Sequence, residues 1–327
     1  MLLTKLAVIL TAGAFLASAI NLGEYGKKAY GAVKRSLPDS ETIKPRQNTV
    51  ACPAVWTAVA SELSTLFLNT TDSLCIDDAR AAIRAAFRDC GAWNITSPGG
   101  CDGSLILAAD ELTRPENNGL QAYGAKILAI TQKYQAIDSS ITAADMIQFA
   151  SSVTIVTCPL GPRVKTYVGR NDSSIPAVKG HLPNANASAA SLIALFAQKG
   201  INAAEIIAFI GAHSSSKQFF VNETLAGAPQ DSTPGEWDVD FYAETISKPT
   251  GVFVFDSDAS LAVDPRTSAT FSGFVGKQKK WDGAFIAAMT KLSLLGVPEG
   301  SANLIDCTSM VPTTRPVPRD VKRATFQ

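Results

Sequence analysis

Arginine occurs at every fourth position at the start of the segment RAAIRAAFRDCGAWN, residues 80–94. Read as a helix, this spacing places Arg80, Arg84 and Arg88 close together along one face. An evenly spaced basic stripe of this kind is most often a solvated surface. The alternative is that Arg88 stands where a catalytic base should be, although a guanidinium group stays protonated and has no lone pair with which to accept a proton.

Imidazole chemistry in this chain must use His181 or His213, because the sequence contains only two histidines. His181 lies in the polar segment AVKGHLPNANAS, which indicates a surface loop. His213 follows the nearly all-apolar helical run NAAEIIAFIGA, which must be buried. A buried histidine is more often a hydrogen-bonded core residue than a ligand. The acidic segments described next favour a chemical role for His213.

Two short segments are rich in the hard oxygen donors that calcium prefers. The oxygen-bearing side chains are Asp89, Asp102 and Ser104 around the loop GGCDGS, and Asp231, Thr233 and Asp238 in the turn DSTPGEWD. Calcium binds about six to eight such oxygens, some of them from loop carbonyls. Either segment alone could be an ordinary Asp-rich turn, but the two together indicate bound cations.

Apolar residues recur at helical spacing along most of the chain, so the sequence predicts a mainly α-helical protein. The helical segments lie around 53–68, 77–90, 119–135, 142–153, 188–198, 202–212 and 271–295. Thr142 with Asp145, and Asn202 with Glu205, have the pattern of helix N-caps followed by an acid. The best strand candidate is GVFVF at 251–255. The absence of a long internal repeat argues against a solenoid.

Composition and the N-terminus limit the classes of function. The 327 residues are 46% hydrophobic and carry no formal net charge, so a large core is expected and nucleic acid is not expected as a partner. Residues 1–19 have the charged, apolar and small-residue order of a secretory signal peptide; the apolar run is short for a membrane anchor. The dibasic pair Lys34-Arg35 marks 20–35 as a possible propeptide. We expect a secreted, extracellular protein that does not bind membranes after signal removal.

Six cysteines follow the predicted signal peptide. An even number in a secreted chain favours three disulfides, with fifteen pairings possible. Five Asn-x-Ser/Thr triplets begin at Asn69, Asn94, Asn171, Asn186 and Asn222. Several of them are expected to carry glycans.

Nine segments of the chain occur in the order found in one family. They are RAAFRDC, GGCDGS, DELTRPENNGL, TAADMIQFA, CPLGPRV with VGRND, IIAFIGAHS, DSTPGEWDVDFYAET, FDSDASLAVDPRT and KLSLLGVPEGSANLIDC. Over about residues 50–310 the chain resembles the secreted haem peroxidases of the plant and fungal superfamily, and within it an ascomycete-type member of fungal class II. The resemblance implies a mainly α-helical peroxidase domain at 51–310. Haem b would lie between a distal part, about 51–185, and a proximal part, about 186–310, and 311–327 would be a flexible tail.

The resemblance assigns His213 as the proximal iron ligand and Asp258 as the carboxylate that accepts its second ring N–H. It also implies two calcium ions. The distal ligands would be Asp89, Gly100, Asp102 and Ser104, and the proximal ligands Ser214, Asp231, Thr233, the Glu236 carbonyl and Asp238. The implied disulfides are Cys52–Cys307 and Cys75–Cys158, of fungal type, and Cys90–Cys101, which is similar to a bridge of the plant branch.

On the distal side the chain departs from the family. Arg84 matches the arginine that polarises peroxide, and Phe87 matches the aromatic residue beside the haem. Glu111 and Asn117 match the pair that orients the distal histidine, which serves as acid and base. Arg88 occupies the position of that histidine, and a positioned acid/base is worth roughly 10²–10⁴ in rate.

The leading hypothesis is a calcium-stabilised, monomeric haem peroxidase that reduces hydrogen peroxide slowly with small organic donors. The alternatives are a non-catalytic haem protein that binds peroxide or anions, and a scaffold that has lost haem. Ala208 replaces the surface tryptophan of ligninolytic relatives. Of the three carboxylates of a manganese site only Asp77 remains, since Ala81 and Phe219 occupy the other positions. Neither lignin nor Mn(II) oxidation is expected.

Overall fold

The computed structural model describes residues 50–298 and 304–318. The predicted signal peptide at 1–19, the possible propeptide at 20–35 and residues 319–327 of the predicted tail lie outside the described residues. No helix in the described ranges is long and apolar enough to cross a membrane.

Helices dominate the described residues, which confirms the mainly α-helical prediction. The α-helices are α1 (Val55–Leu66), α2 (Asp77–Gly91), α3 (Ser104–Leu107), α4 (Gln121–Gln135), α5 (Ala143–Thr157), α6 (Ala189–Ala197), α7 (Ala203–Ile210), α8 (Asp240–Ser247), α9 (Asp256–Val263), α10 (Ser268–Ser272) and α11 (Gln278–Leu292). Two antiparallel pairs of two-residue strands accompany them, β1 (Tyr167–Val168) with β4 (Ile305–Asp306) and β2 (Lys217–Gln218) with β3 (Ala228–Pro229).

The prediction of a strand at 251–255 is wrong. This segment is extended but belongs to no strand. The Phe253 N–H donates to the carbonyl of Pro229, the last residue of β3, at 2.8 Å. Because proline has no N–H to return, it cannot form the reciprocal bond that a continuing ladder requires.

Helix α5 is the centre of the core, and every one of its residues is buried. Thr142 caps its start by accepting a hydrogen bond from the Asp145 N–H. The Asp145 carboxylate is then paired at 2.8 Å with the equally buried Arg170 guanidinium. A buried charge without such a partner would be strongly destabilising, so this pair allows a polar residue inside the helix.

Three disulfides have the pairing that the resemblance implied. They are Cys52–Cys307, Cys75–Cys158 and Cys90–Cys101. The first closes a separation of 255 residues and fixes the C-terminal segment beside α1. Long loops closed in this way restrict the unfolded chain most.

The first residues of the predicted tail are bound to the core and are not loose. Val311 is buried, and the Arg315 carbonyl accepts the Leu160 N–H at 2.8 Å. The Arg315 guanidinium also reaches the carbonyls of Ser73 and Thr157. Composition alone gave no sign of these long-range hydrogen bonds.

Candidate active site

Helix α7 positions His213. Its N-terminus is closed by a capping box between Asn202 and Glu205, and its apolar face is buried. The helix runs into a 3-10 turn, Gly211–Ser215, that carries the histidine. A side chain at Gly211 would lie 2.4 Å from Trp281 Nε1 and from the Tyr242 hydroxyl, so only glycine allows this turn to pack so closely.

The His213 ring is held on one side by hydrogen bonding and packing. Its Nδ1 lies 2.9 Å from Oδ2 of Asp258, which is 1% exposed in the first turn of α9. The edges of Phe241 and Phe255 fix the ring plane, with ring centroids 5.7 and 5.6 Å away. Gln230 donates to the same Asp258 oxygen at 3.4 Å, which restrains the carboxylate.

This arrangement leaves Nε2 of His213 available for coordination. If Nδ1 donates its proton to Asp258, Nε2 carries a lone pair, and Nε2 has no hydrogen-bond partner among the described residues. The side chain is 31% exposed, so the nitrogen can be approached. A neutral imidazole oriented by a carboxylate is the donor that haem iron or another metal requires, so the residues fit the group.

Arg84 and Arg88 lie one turn apart on α2. The Arg84 guanidinium donates to the carbonyls of Asn118 and Glu116, at 2.7 and 3.0 Å. Nε and Nη1 of Arg88 are buried and have no partner among the described residues. The stripe is therefore not a simple solvated surface.

Burial and the neighbouring Arg84 cation lower the pKa of Arg88 to about 10, and Glu116 opposes that change. Burial likewise lowers the pKa of Arg84. Both groups therefore remain cationic at neutral pH. Neither can serve as a base there.

The loop facing these arginines carries a second unpaired group. Asn117 is 1% exposed and donates from Nδ2 to the Glu111 carbonyl at 2.8 Å, while its Oδ1 has no partner in the described part of the chain. Glu111 is held by the Ala177 N–H, and burial raises its pKa. Asn117 directly follows Glu116, whose charge acts on Arg88. A buried amide oxygen is thus available to accept an N–H in the loop whose carbonyls bind Arg84.

Phe87 packs between α2 and the elements that follow the distal loop. Its ring lies 6.2 Å from that of Phe196 on α6. A side chain at Gly91 would be 3.4 Å from both Phe87 and Leu182, so the aromatic ring fills the space between α2 and the loop that contains Leu182.

Sequence reasoning missed the contact that joins the loop after His213 to Arg84. Gly119 has a positive φ of 87°, and a side chain there would lie 2.6 Å from Phe220 and 3.6 Å from Nη1 of Arg84. Phe220 follows His213 by seven residues, and no motif marks it. The glycine in ENNGL was the available signal, since close approach and positive φ both require this residue.

His181 does not occupy the free surface position that its polar neighbours indicated. It is half-buried, with Nδ1 at 3.0 Å from the Ala92 carbonyl and Nε2 at 3.0 Å from Nδ2 of Asn94. The ring therefore ties its loop to the end of α2. With both nitrogens engaged, it is not an available ligand.

The proximal oxygen cluster is assembled beside the histidine. The Thr233 hydroxyl donates to Asp238 at 2.8 Å, and the Thr233 N–H donates to Oδ1 of Asp231 at 2.8 Å. The Asp238 N–H reaches the Ser214 hydroxyl, which in turn lies 3.5 Å from the Glu236 carbonyl. Burial raises the pKa of Asp231 well above its usual value and that of Asp238 to about 6.

The distal cluster has the same character. Asp89 is 1% exposed and accepts the N–H groups of Gly103 and Leu105. Burial, followed by the charge of Asp102, raises the pKa of Asp89 well above its usual value. The Gly100 carbonyl accepts the Asp102 N–H at 3.0 Å, and the Ser104 N–H donates to Oδ1 of Asp102 at 3.1 Å.

Both clusters fit a cation that is coordinated by oxygen ligands. No group of three or more His, Cys, Asp or Glu side chains that could hold a metal occurs in the described ranges. Each cluster instead combines two carboxylates, of which Asp89, Asp231 and Asp238 are buried and Asp102 is half-buried, with hydroxyl and carbonyl oxygens, a donor set that suits calcium. Oδ2 of Asp231 is buried without a partner, as expected of an atom that contacts a cation.

The remaining position of the manganese set is already engaged. Asp77 lies 2.7 Å from Nη1 of Arg80 and 3.6 Å from Nζ of Lys217. Phe219 is exposed, and Ala208 is buried in α7. That the chain does not oxidise Mn(II) stays a prediction.

Comparison with known proteins places this chain in a family. The family model described as "Peroxidase" matches residues 59–277. A manganese peroxidase H4 of Phanerodontia chrysosporium is 30% identical over 91% of this chain and 84% of its own length. A low-redox potential peroxidase of Taiwanofungus camphoratus is 31% identical over 71% and 72%. A peroxidase of Arthromyces ramosus is 28% identical over 94% and 87%. The chain therefore belongs to the peroxidase family, whose members use haem to reduce hydrogen peroxide.

Proposed function

We propose that this chain is a secreted, calcium-stabilised haem b peroxidase whose reaction with hydrogen peroxide is slowed by Arg88. The observation that carries the proposal is the His213–Asp258 pair, which leaves a metal-binding nitrogen free. Haem b would supply the redox chemistry, transferring oxidising equivalents from peroxide to a donor. Membership of the family supports peroxide and a reductant as substrates.

The proximal residues orient and polarise the ligand. Asp258 accepts the Nδ1 proton of His213, which makes the imidazole more electron-donating and favours higher oxidation states of iron. Gln230 and the aromatic edges of Phe241 and Phe255 restrain the pair. These contacts are what a redox role requires.

The distal residues bind peroxide but do not move its proton. The buried Nε and Nη1 of Arg88 are donors that a peroxide oxygen could satisfy. A peroxidase also needs a group that takes a proton from one peroxide oxygen and returns it to the other. Arg88 remains protonated at neutral pH, since its pKa is lowered only to about 10. The reaction with hydrogen peroxide should therefore be slow.

The donors we propose are small organic reductants. Asp77 is paired with cations, and Phe219 presents an apolar surface where a carboxylate would be needed for Mn(II). Ala208 is buried and provides no surface aromatic group for long-range electron transfer. We further propose two calcium ions, at the clusters of Asp89 and Asp231, and a monomeric protein.

Rapid mixing of haem-loaded protein with one equivalent of peroxide tests the proposal. The Soret band should change slowly, and each equivalent of peroxide should produce one such change. A small phenol should then restore the starting spectrum. Protein without a Soret band would contradict haem binding and favour a scaffold that has lost haem.

A second candidate is a non-catalytic haem protein that binds peroxide or anions. The adjacent cations of Arg84 and Arg88, with two unpartnered donors, favour it. Tight binding of azide or fluoride, with no phenol-dependent peroxide consumption, would select this function over the first.

A further inference from the structure

An apolar patch is exposed on the loop that joins β2 to β3. Its members, which we call the loop patch, are Phe219 (38% exposed), Phe220 (53%), Val221 (43%) and Leu225 (50%). The Phe219 and Phe220 ring centroids are 6.3 Å apart. Single exposed apolar residues need no explanation, but a contiguous group marks a surface that something covers.

The loop patch is held on the surface by a bonded frame. Gln218 is 3% exposed; its side-chain amide donates to the carbonyls of Asn222 and Leu225 and accepts the Asn222 N–H at 3.1 Å. Phe220 rests on Gly119, and Phe219 lies near Gly227. These hydrogen bonds hold the loop backbone in the conformation that presents the two rings.

A glycosylation triplet lies inside the loop patch. The Asn222 Oδ1 accepts hydrogen bonds from the N–H and hydroxyl of Thr224, at 3.1 and 2.7 Å. Its Nδ2, the atom to which an N-glycan is attached, makes no hydrogen bond with any described residue. Phe220 stands two residues before this asparagine and Leu225 three residues after it.

Asn94 is the contrasting case. It is 6% exposed, its Nδ2 lies 3.0 Å from Nε2 of His181, and its Oδ1 accepts from Thr96 and Ser97. A sugar on this nitrogen would displace His181 and enter the core. The folded chain thus accommodates a glycan at Asn222 but not at Asn94.

We propose that Asn222 carries an N-glycan whose first N-acetylglucosamine packs on the loop patch, chiefly on the ring of Phe220. The C–H groups on the flat face of the sugar are slightly positive, and the face of an aromatic ring is negative, so the two attract. Covalent attachment keeps the sugar at high effective concentration beside the patch. Since Phe220 packs on Gly119 next to Arg84, the glycan lies close to the distal arginine.

The inference rests on the proposed secretion, because N-glycans are added in the secretory pathway. The first test is glycopeptide mass spectrometry of the full chain secreted by a eukaryotic host. Asn222 should be occupied and Asn94 bare. Secreted, peroxide-reactive protein with bare Asn222 overturns the glycan and leaves the proposed function standing. A chain retained in the cytosol overturns secretion and the glycan together.

The second test measures packing in the folded wild-type protein. An endoglycosidase that leaves one N-acetylglucosamine should not change the melting temperature, whereas complete removal by peptide N-glycosidase should lower it by about 2 °C. Asn222→Asp, which places there the aspartate that this hydrolysis leaves, should reproduce that loss, and Asn171→Asp, which removes an exposed triplet, should not. In Phe220→Ala protein, complete removal should cause no further loss. Equal losses with and without the Phe220 ring would refute the contact.

Discussion

Replacing Arg88 by histidine should restore the missing acid/base of the distal side. The position lies on α2, one turn after Arg84. Asn117, in the loop whose carbonyls bind Arg84, presents a buried Oδ1 with no partner among the described residues. An imidazole at position 88 could donate its Nδ1 proton to that oxygen and keep Nε2 free to accept a proton from peroxide.

The magnitude follows from the protonation of the two groups. Because the pKa of Arg88 is lowered only to about 10, its guanidinium stays protonated at pH 7 and offers no lone pair to a peroxide proton. An imidazole with an ordinary pKa of about 6.5 is mostly neutral at that pH. The Arg88→His protein should therefore react with peroxide about 10²–10³ times faster, equivalent to about 3–4 kcal/mol of barrier.

Stopped-flow absorbance of the Soret band measures this step directly. Arg88→Leu is the matched control, since it removes the cation without supplying a base and should not produce the gain. The advantage of Arg88→His should decline as pH falls through the imidazole pKa, because only the neutral ring accepts a proton. Asn117→Leu should reduce the rate of the Arg88→His protein by about tenfold or more and have little effect in wild type.

Two results would refute this reasoning. A fast wild-type reaction that Arg88→His leaves unchanged would mean that another group supplies the base. Equal gains in Arg88→His and Arg88→Leu would mean that the Arg88 cation itself, and not the lack of proton transfer, slows the reaction with peroxide. The first result would remove the case for an impaired peroxidase, and the second would replace a missing base with the Arg88 cation as the cause of the impairment.

His213→Ala should abolish haem retention and the Soret band, whereas His181→Ala should keep both; the reverse pattern would show that the ligand assignment is wrong. Asp258→Asn should raise the reduction potential of the iron, since a neutral amide makes His213 less electron-donating, and an unchanged potential would contradict this role. Removing calcium with a chelator should lower the melting temperature, because calcium stabilises only the native state, and protein shown to be free of calcium with the same melting temperature would refute the sites. The stabilisation by added calcium should shrink as pH falls through about 6, because a proton on Asp238 competes with the cation. The same proton stabilises the metal-free folded protein, since the pKa of Asp238 is higher in the folded than in the unfolded chain.

The parts of the fold that follow local rules were predictable from the sequence. Asn202 and Glu205 form the capping box that their spacing predicted, and Thr142 caps α5. These interactions depend on residues three positions apart, so one sequence is enough to find them. The nearly all-apolar run before His213 is likewise buried as expected.

Features that depend on distant residues were not predictable from local patterns. Asp258 is 45 residues from His213, so family resemblance and not periodicity paired them. The hydrogen bonds of His181 join residues 87 and 89 positions apart, and its polar neighbours gave the opposite impression. The extended run at 251–255 has strand composition, but its pairing partner ends in proline. The carbonyl contacts of Arg84 likewise come from a loop more than thirty residues away.

The contrast between the two sides of the candidate site favours a redox role over simple anion binding. A protein that only binds haem and an anion needs an iron ligand and a cation, which His213 and Arg88 would provide. It has no need of a carboxylate that makes the ligand more electron-donating, yet Asp258 is buried against Nδ1 at 2.9 Å and held by Gln230. Burial of a carboxylate is costly unless its hydrogen bonds are made, so this pair is a specific arrangement of the proximal side. Because its effect is on the oxidation state of iron, we infer that the chain still performs electron transfer, and that Arg88 alters the rate at which peroxide starts it.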